Sequence, residues 1–335
     1  MFNVAVVGAP GAVGGVMLRV LEERGFPVTE LRPLASARSA GKEIEFLGRG
    51  RPVRELTTDA FEGIDIALFS AGGQRSRDFA PAAVEAGAVV IDNSSAFRMD
   101  ERVPLVVPEV NEDAIQGHSG IIANPNCVAA PLVVALKPIA DAVGLERVVV
   151  SSYQSVSGTG QAAIEELRVQ TAGNLAGDEP EPEVYPHPIA FNVLPHIDVF
   201  DESGYTGEER KVADETRKML GMPGLRVSAT CVRVPVFRSH SQAVHIETAE
   251  PVSADRAREL LMGAPGVVLV DEPAAAAYPL ARDAEDRDEV FVGRIRNDAS
   301  HPRGLALWVV ADNLRKGAAT NAVQIAESLV TRGWL

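Results

Sequence analysis

The chain has 335 residues, 46% of them hydrophobic and 23% charged, proportions of an ordinary globular protein long enough for two cores. Its formal net charge of −14, with no basic stripe, argues against a nucleic-acid partner, so any cations that hold an anionic ligand must be placed locally. Two cysteines cannot form a disulfide framework, no CxxC spacing marks a zinc site, and no uninterrupted apolar run of ~18 residues predicts a membrane span.

The opening, MFNVAVVGAPGAVG, runs directly into apolar residues without a basic, cleavable leader, and a reducing cytoplasm is the expectation. Residues 2–7 predict a buried parallel strand. Residues 13–24 predict a helix, with Val13, Val16, Met17, Val20 and Leu21 at helical spacing. Gly8, Gly11 and Gly14 fall in the turn between strand and helix. Glycines there let the backbone approach a pyrophosphate, which sits on the N–H groups that open the helix. The spacing is GxxGxxG rather than GxGxxG, so its place between strand and helix carries the reading. A second strand, 30–35, runs into ASARSAG. Glu30 is about the right distance on for a ribose ligand but starts the strand, at the wrong end of the sheet. Ser36, Arg38 and Ser39 at the other end supply a cation and hydroxyls suited to a 2′-phosphate, so NADP is expected rather than NAD. Strand-like stretches at 65–73 and 88–95, around a helix in RSRDFAPAAVEAG, complete the alternation of a doubly wound parallel sheet.

After Ala123 longer strands are predicted at 147–154, 226–236, 241–248, 267–270, 290–296 and 306–311, with helices at 160–175 and 206–220. This mixture implies a second, α+β domain built on a mixed sheet. The acidic, proline-rich AGDEPEPEVYPHP reads as an exposed loop, and residues 317–331 as an alanine-rich amphipathic helix.

Cys127 lies in NPNCVAAP, ahead of an apolar, helix-like run. A sulfur near a helix N-terminus gains thiolate character, whereas most buried cysteines simply fill a core. A nucleophile also needs a base and an oxyanion site. Asn126 could offer its amide. Among six histidines, His240 follows Arg233 across the turn-like PVFRS, where a histidine at a strand's edge could reach a thiol and an arginine could hold a carboxylate. Glu208 and Lys211, three apart on one helical face, read on their own as a surface ion pair. Cys231, in an apolar strand, reads as core.

Taken together, LASARSAGK, SAGG, DNSSAFRMD, VVPEVN, NPNC, YQSVSGTG, FNVLPHID, YTGEERK, RVPVFRSHSQA, VGRIRND and VVADNLRKGAATNAVQIAE run in order along nearly the whole chain. In these the chain resembles the aspartate-β-semialdehyde dehydrogenase family, in its bacterial form with the shorter SAGG loop. The resemblance implies a Rossmann-type domain at 1–125 plus 313–335 and a catalytic, dimerising domain at 126–312. It implies NADPH-dependent reduction of L-β-aspartyl phosphate to L-aspartate β-semialdehyde through a cysteine thioester, with release of inorganic phosphate, in a homodimer or homotetramer. By motif, Cys127 matches the nucleophile, His240 the acid/base, and Gln154 the side chain that orients the acyl group. Arg233 matches the ligand of the substrate carboxylate and Glu208 that of its amino group. Arg98 and Lys211 match phosphate ligands, with Asn93 and Asn126 nearby. Gly8, Gly11, Ala12, Val13, Gly14, Ser36, Arg38, Ser39, Ser70, Gly72, Gly73, Ser157, Gly158, Asn313 and Asn321 fall in the cofactor site. Two departures stand out: Pro10 where the family usually has Thr or Ser, and Val128 and Ala129 where it usually has hydroxylic residues. Related readings are an N-acetylglutamyl phosphate reductase-like enzyme, which would not need Glu208, and a non-catalytic NADP-binding paralogue.

Overall fold

The computed structural model describes residues 1–178 and 180–335. Contacts divide the chain into two units, Met1–Asn126 with Ala318–Leu335, and Cys127–Gly317. In the first, β1 (Phe2–Val7), α1 (Ala12–Glu23) and β2 (Val28–Ala35) are followed by a hairpin of β3 (Glu43–Phe46) and β4 (Arg49–Pro52) and by the short β5 (Arg54–Glu55). Then come β6 (Ile66–Phe69), α2 (Gly73–Glu85), β7 (Val89–Asp92), α3 (Pro108–Asn111) and β8 (Ile121–Ala123). The sheet order is β5-β2-β1-β6-β7-β8, and every pairing is parallel. Strand order reverses between β1 and β6, the switch point where such sheets bind ligands at their carboxyl ends. β1, β6 and β7 are almost wholly buried, as strands covered by helices on both faces must be. The hairpin was not anticipated: EIEF and RGRP are too short and polar to give a period.

The second unit holds α4 (Ala129–Val143), β9 (Leu145–Gln154), α5 (Gln161–Ala176), α6 (Gly207–Leu220), β10 (Arg226–Arg233) and β11 (His240–Thr248). It continues through α7 (Ala254–Leu261), β12 (Val267–Leu269), α8 (Ala281–Ala284), β13 (Val290–Asn297) and β14 (Gly304–Ala311). Its sheet, β10-β9-β11-β14-β13-β12, is mixed, with β10–β9 and β12–β13 parallel and the other pairs antiparallel. Finally α9 (Thr320–Arg332) returns to the first unit, where Arg24 clasps Glu327 through two hydrogen bonds of 2.8 and 2.7 Å. The expected helix at 317–331 begins later, because a π-turn at Arg315–Ala319 precedes it. Asn313, expected in the nucleotide domain, belongs to the second unit, since the chain crosses over only after Gly317.

β10 ends at Arg233 rather than at 236, because after a last hydrogen bond from Val234 N to Gln154 O the chain turns through PVFRS towards β11. The acidic loop is tied down more than its composition implies. Glu166 of α5 accepts from the backbone of Glu183, Val184 and Tyr185, and Gln170 Oε1 accepts from Ile189 and Ala190. Glu179 of that stretch lies outside the described residues. Among the described residues no helix is long and apolar enough to cross a membrane.

Candidate active site

In the first unit the glycine turn lies at the carboxyl end of β1, beside the end of β6. Gly8 has φ +87°, and a Cβ on it would stand 2.5 Å from the Ser70 carbonyl oxygen. A Cβ on Gly14 would stand 2.2 Å from the Gly8 oxygen. Neither position can carry a side chain without displacing backbone. Gly11 caps α1 in extended conformation, with no side chain on the helix's first N–H groups and no acidic residue in the first turn. Ala12 and Val13 open that helix half-buried, and Gly72 (φ +88°) and Gly73 open α2 across the switch point. Beyond β2, Ser36 caps a 3₁₀ turn containing Arg38, which is exposed, and Ser39, which is half-buried. Glu30, inside β2 rather than at its start, is occupied by Arg32 at 2.9 Å. A side-chain-free turn over a helix start, with a cation beyond the second strand, fits a dinucleotide carrying a 2′-phosphate. Pro10 is exposed at the tip of the turn.

Other residues expected around the ligands of this unit have structural partners. Asn321, expected at the cofactor, is fully buried and donates to Val106 O (2.9 Å) and Asn124 Oδ1 (2.7 Å). Asn124 Nδ2 in turn donates to Asn93 Oδ1 at 2.6 Å. Arg98 is held by the carbonyls of Asn124 (2.9 Å) and Asn93 (2.8 Å), and Asn126 is buried.

In the second unit the sheet itself gathers the chemistry. β9 and β10 run parallel with Gln154 opposite Arg233, and β11 starts antiparallel with Ser241 opposite Tyr153. Two carboxyl ends and one amino end therefore meet, and Gln154, Arg233 and His240 share one edge. Cys127 precedes Val128, the N-cap of α4, as the expected helix start requires. Its Sγ lies 3.4 Å from His240 Nε2. His240 is buried, and burial together with the nearby Arg233 guanidinium pushes its pKa down to about 3. The ring is neutral at physiological pH. Gln154 Nε2 reaches Glu208 Oε1 at 3.3 Å, and Glu208 sits in the first turn of α6, where the helix dipole favours a carboxylate. That turn is set by a capping box between Thr206 and Glu209. Glu208 is buried rather than a surface residue, while Lys211 is held mainly by Asp198 at 2.6 Å and lies 3.7 Å from Glu208. Arg233 Nη1 donates to Ser155 O at 2.8 Å, and its buried Nε has no hydrogen-bond partner among the described residues.

Three further residues shape this edge and escaped the sequence reading. A Cβ on Gly317 would stand 3.1 Å from both Cβ and O of Cys127, so this glycine lets the Cys127 turn sit where it does. Its only signal was a glycine within an alanine-rich helical pattern. Tyr185, read as part of an exposed loop, has its ring 5.9 Å from the Arg233 guanidinium and its hydroxyl 2.9 Å from Thr159 Oγ1. Ser155 contacts His240 directly. Ser157 and Asn313, expected at the cofactor, are buried and bonded to each other at 3.0 Å. Gly158 is exposed, and a Cβ there would approach Arg233 Nη1 to 3.0 Å and the His240 ring to 3.4 Å. Val128 and Ala129 are fully buried, which accommodates apolar side chains behind the cysteine, and the Val128 carbonyl accepts from Gln242 at 3.1 Å.

A parallel sheet with a side-chain-free turn at its switch point, joined to a mixed-sheet unit, defines a two-unit dinucleotide-binding dehydrogenase. Residues 3–118 match the family described as semialdehyde dehydrogenase, NAD binding domain, and residues 136–316 that described as semialdehyde dehydrogenase, dimerisation domain. The chain is 56% identical over 336 residues to the aspartate-semialdehyde dehydrogenase of Aquifex aeolicus, covering 99% of each chain. It is 52% identical to that of Bacillus subtilis, covering 98% of this chain and 97% of the relative. It matches the crystal structure of aspartate semialdehyde dehydrogenase II from Vibrio cholerae complexed with ASA at TM-score 0.95 and 53% identity, over 99% of this chain and 98% of that one. The Candida albicans aspartate semialdehyde dehydrogenase with NADP matches at TM-score 0.78 and 26% identity over the whole of both chains. The chain belongs to the aspartate-semialdehyde dehydrogenase family.

Proposed function

We propose that this protein reduces L-β-aspartyl phosphate to L-aspartate β-semialdehyde with NADPH, and runs the reverse reaction with NADP and phosphate, in the biosynthesis of Lys, Met, Thr and Ile. The observation that carries the reading is the pair Cys127 Sγ and His240 Nε2 at 3.4 Å, on the same sheet edge as Gln154 and Arg233. His240 Nε2 takes the thiol proton, and the sulfur attacks the acyl carbon. The C–S bond forms, the carbon–oxygen bond to phosphate breaks, and a thioester and inorganic phosphate result. The glycine turn, Ser36, Arg38 and Ser39 would hold NADPH, which would supply the hydride for reduction of the Cys127 thioester to a thiohemiacetal. The His240 imidazolium gives its proton to the developing oxyanion, then recovers it as the C–S bond breaks and the aldehyde leaves.

Arg233, with its free Nε, takes the substrate carboxylate in two parallel hydrogen bonds, and Glu208 takes the amino group. A free amino acid is favoured over an N-acetylated one because Glu208, at the start of α6, offers a carboxylate acceptor that suits an ammonium group. Arg98 and Lys211 are the proposed phosphate cations, and Gln154 orients the acyl oxygen. The open face of the second sheet, where Tyr153 packs on Trp308 at 5.6 Å, is the proposed seat of a second copy in a homodimer. A nucleophilic thiol outside any disulfide suits a reducing cytoplasm.

The test is phosphate-dependent NADPH formation from aspartate semialdehyde, with NAD in parallel. Wild type forms NADPH, prefers NADP, and Cys127→Ala loses at least ~10³-fold in kcat. Activity surviving in Cys127→Ala sinks the covalent route.

A further inference from the structure

Arg233 closes β10, and Nη1 of its guanidinium donates to the Ser155 carbonyl at 2.8 Å. With Nη1 so held, the edge that remains for a carboxylate is the one made by Nε and Nη2, and the buried Nε has no partner among the described residues. A guanidinium held by one hydrogen bond can still pivot about it. Something else has to fix its plane before that edge is set for a ligand.

Tyr185 stands where such a contact is needed. The guanidinium carbon lies over its ring, 5.9 Å from the centre. The ring packs against the buried cluster that includes Val156, Leu167 and Leu194. Its hydroxyl lies 2.9 Å from Thr159 Oγ1, at the far end of the same short turn whose Ser155 carbonyl holds Nη1. Burial pushes the Tyr185 phenol up, so the face offered to the cation belongs to a neutral ring. The backbone that carries the ring is tied at both ends. Glu166 of α5 accepts from Glu183, Val184 and Tyr185, and Leu194 exchanges two backbone hydrogen bonds with Arg233 itself, at 2.9 and 2.8 Å. Residues 183–194 thus form a strap from α5 to the end of β10.

We propose that Tyr185 is a positioning residue for the substrate carboxylate: its ring, carried by this strap, holds the Arg233 guanidinium so that the Nε–Nη2 edge is set before substrate arrives. The proposal rests on the assignment of Arg233 to that carboxylate above. Tyr185 acts through Arg233 and need not touch substrate. It narrows the orientations of a long side chain in advance, so that less ordering remains to be done on binding. Its effect falls on affinity for the semialdehyde rather than on the thiol chemistry at Cys127.

Two variants of the full chain test this. Tyr185→Leu removes the ring but keeps an apolar side chain for the cluster, and Tyr185→Phe keeps the ring and loses only the bond to Thr159. Tyr185→Leu is expected to raise KM for the semialdehyde ~5- to 30-fold, with kcat changing less and KM for phosphate and NADP within ~2-fold of wild type. Tyr185→Phe is expected to recover most of the loss. In ¹⁵N-arginine spectra of the protein alone, with the Arg233 Nε–H signal assigned by its absence in Arg233→Lys, Tyr185→Leu moves that signal downfield as the shielding of the ring is lost. Tyr185→Phe leaves it near its wild-type position. An unchanged semialdehyde KM in Tyr185→Leu, equal rises in the Leu and Phe variants, or a parallel rise in KM for phosphate and NADP would overturn the proposal. So would an Nε–H signal that stays in place in Tyr185→Leu, a result the spectra give even if wild type fails the semialdehyde assay, which would instead overturn the proposed function.

Discussion

Cys127 and Cys231 belong to the same unit and have opposite surroundings. Cys231 lies inside β10, its backbone N–H given to Glu209 Oε1 at 3.0 Å. Burial, reinforced by the nearby Glu208 and Glu209 carboxylates, pushes its thiol up to about 12. Cys127 lies in a turn just before α4, half-buried, with Gly317 behind it and His240 beside it. A strand interior offers a cysteine only neighbours that exclude water. A turn at the end of a sheet offers polar side chains from several strands, and reactivity follows from that placement rather than from residue type.

The largest test of this contrast is alkylation. Iodoacetamide at neutral pH is expected to label Cys127 at least ~10³-fold faster than Cys231, because a thiol held near 12 has almost no thiolate. Mass spectrometry of the two peptides reads the ratio, and Cys231→Ala should retain activity within ~2-fold. Comparable labelling would erase the distinction. A smaller effect is expected from Gly317→Ala, whose methyl must push the Cys127 turn by a few tenths of an ångström. Misplacing the nucleophile by that amount should cost ~10-fold or more in kcat, with the melting temperature little changed. A wild-type kcat would show that the close approach has no catalytic consequence.

The smallest effect concerns stability. His240 binds no proton in the folded chain until pH falls to about 3, whereas the unfolded ring takes one up below its ordinary 6.5. Its contribution is therefore complete above pH 6.5 and is lost as pH falls from there towards 3, by up to ~1.4 kcal/mol per pH unit. Urea denaturation of wild type and His240→Asn at pH 7, 6 and 5 should show a shallower decline in the variant. Parallel declines would mean that the ring is not buried in its neutral form.

Much of this was readable along the chain. The apolar run at 2–7 ending in glycine, followed by helical spacing, announced both the parallel sheet and its ligand end, because burial on both faces leaves a continuous apolar strand. The short EIEF and RGRP strands were invisible, since neither is long enough for a period to emerge. Asn321 and Asn313 were both read as cofactor contacts from motif alone. The fold puts the first in a buried bond to Asn124, and the second behind Ser155.

The sequence by itself determined the order of strands and helices, the glycines that no side chain can replace, and which residue types were available for chemistry. Those properties depend on neighbours a few positions away. Tertiary structure alone decided that Cys127 meets His240 across 113 residues, that Asn313 stands 158 residues from the serine it bonds, and that burial pushes the Cys231 thiol up. A hydrogen-bond partner or a layer of excluded water comes from segments distant in the chain. Local pattern carries no record of which distant segment will supply it.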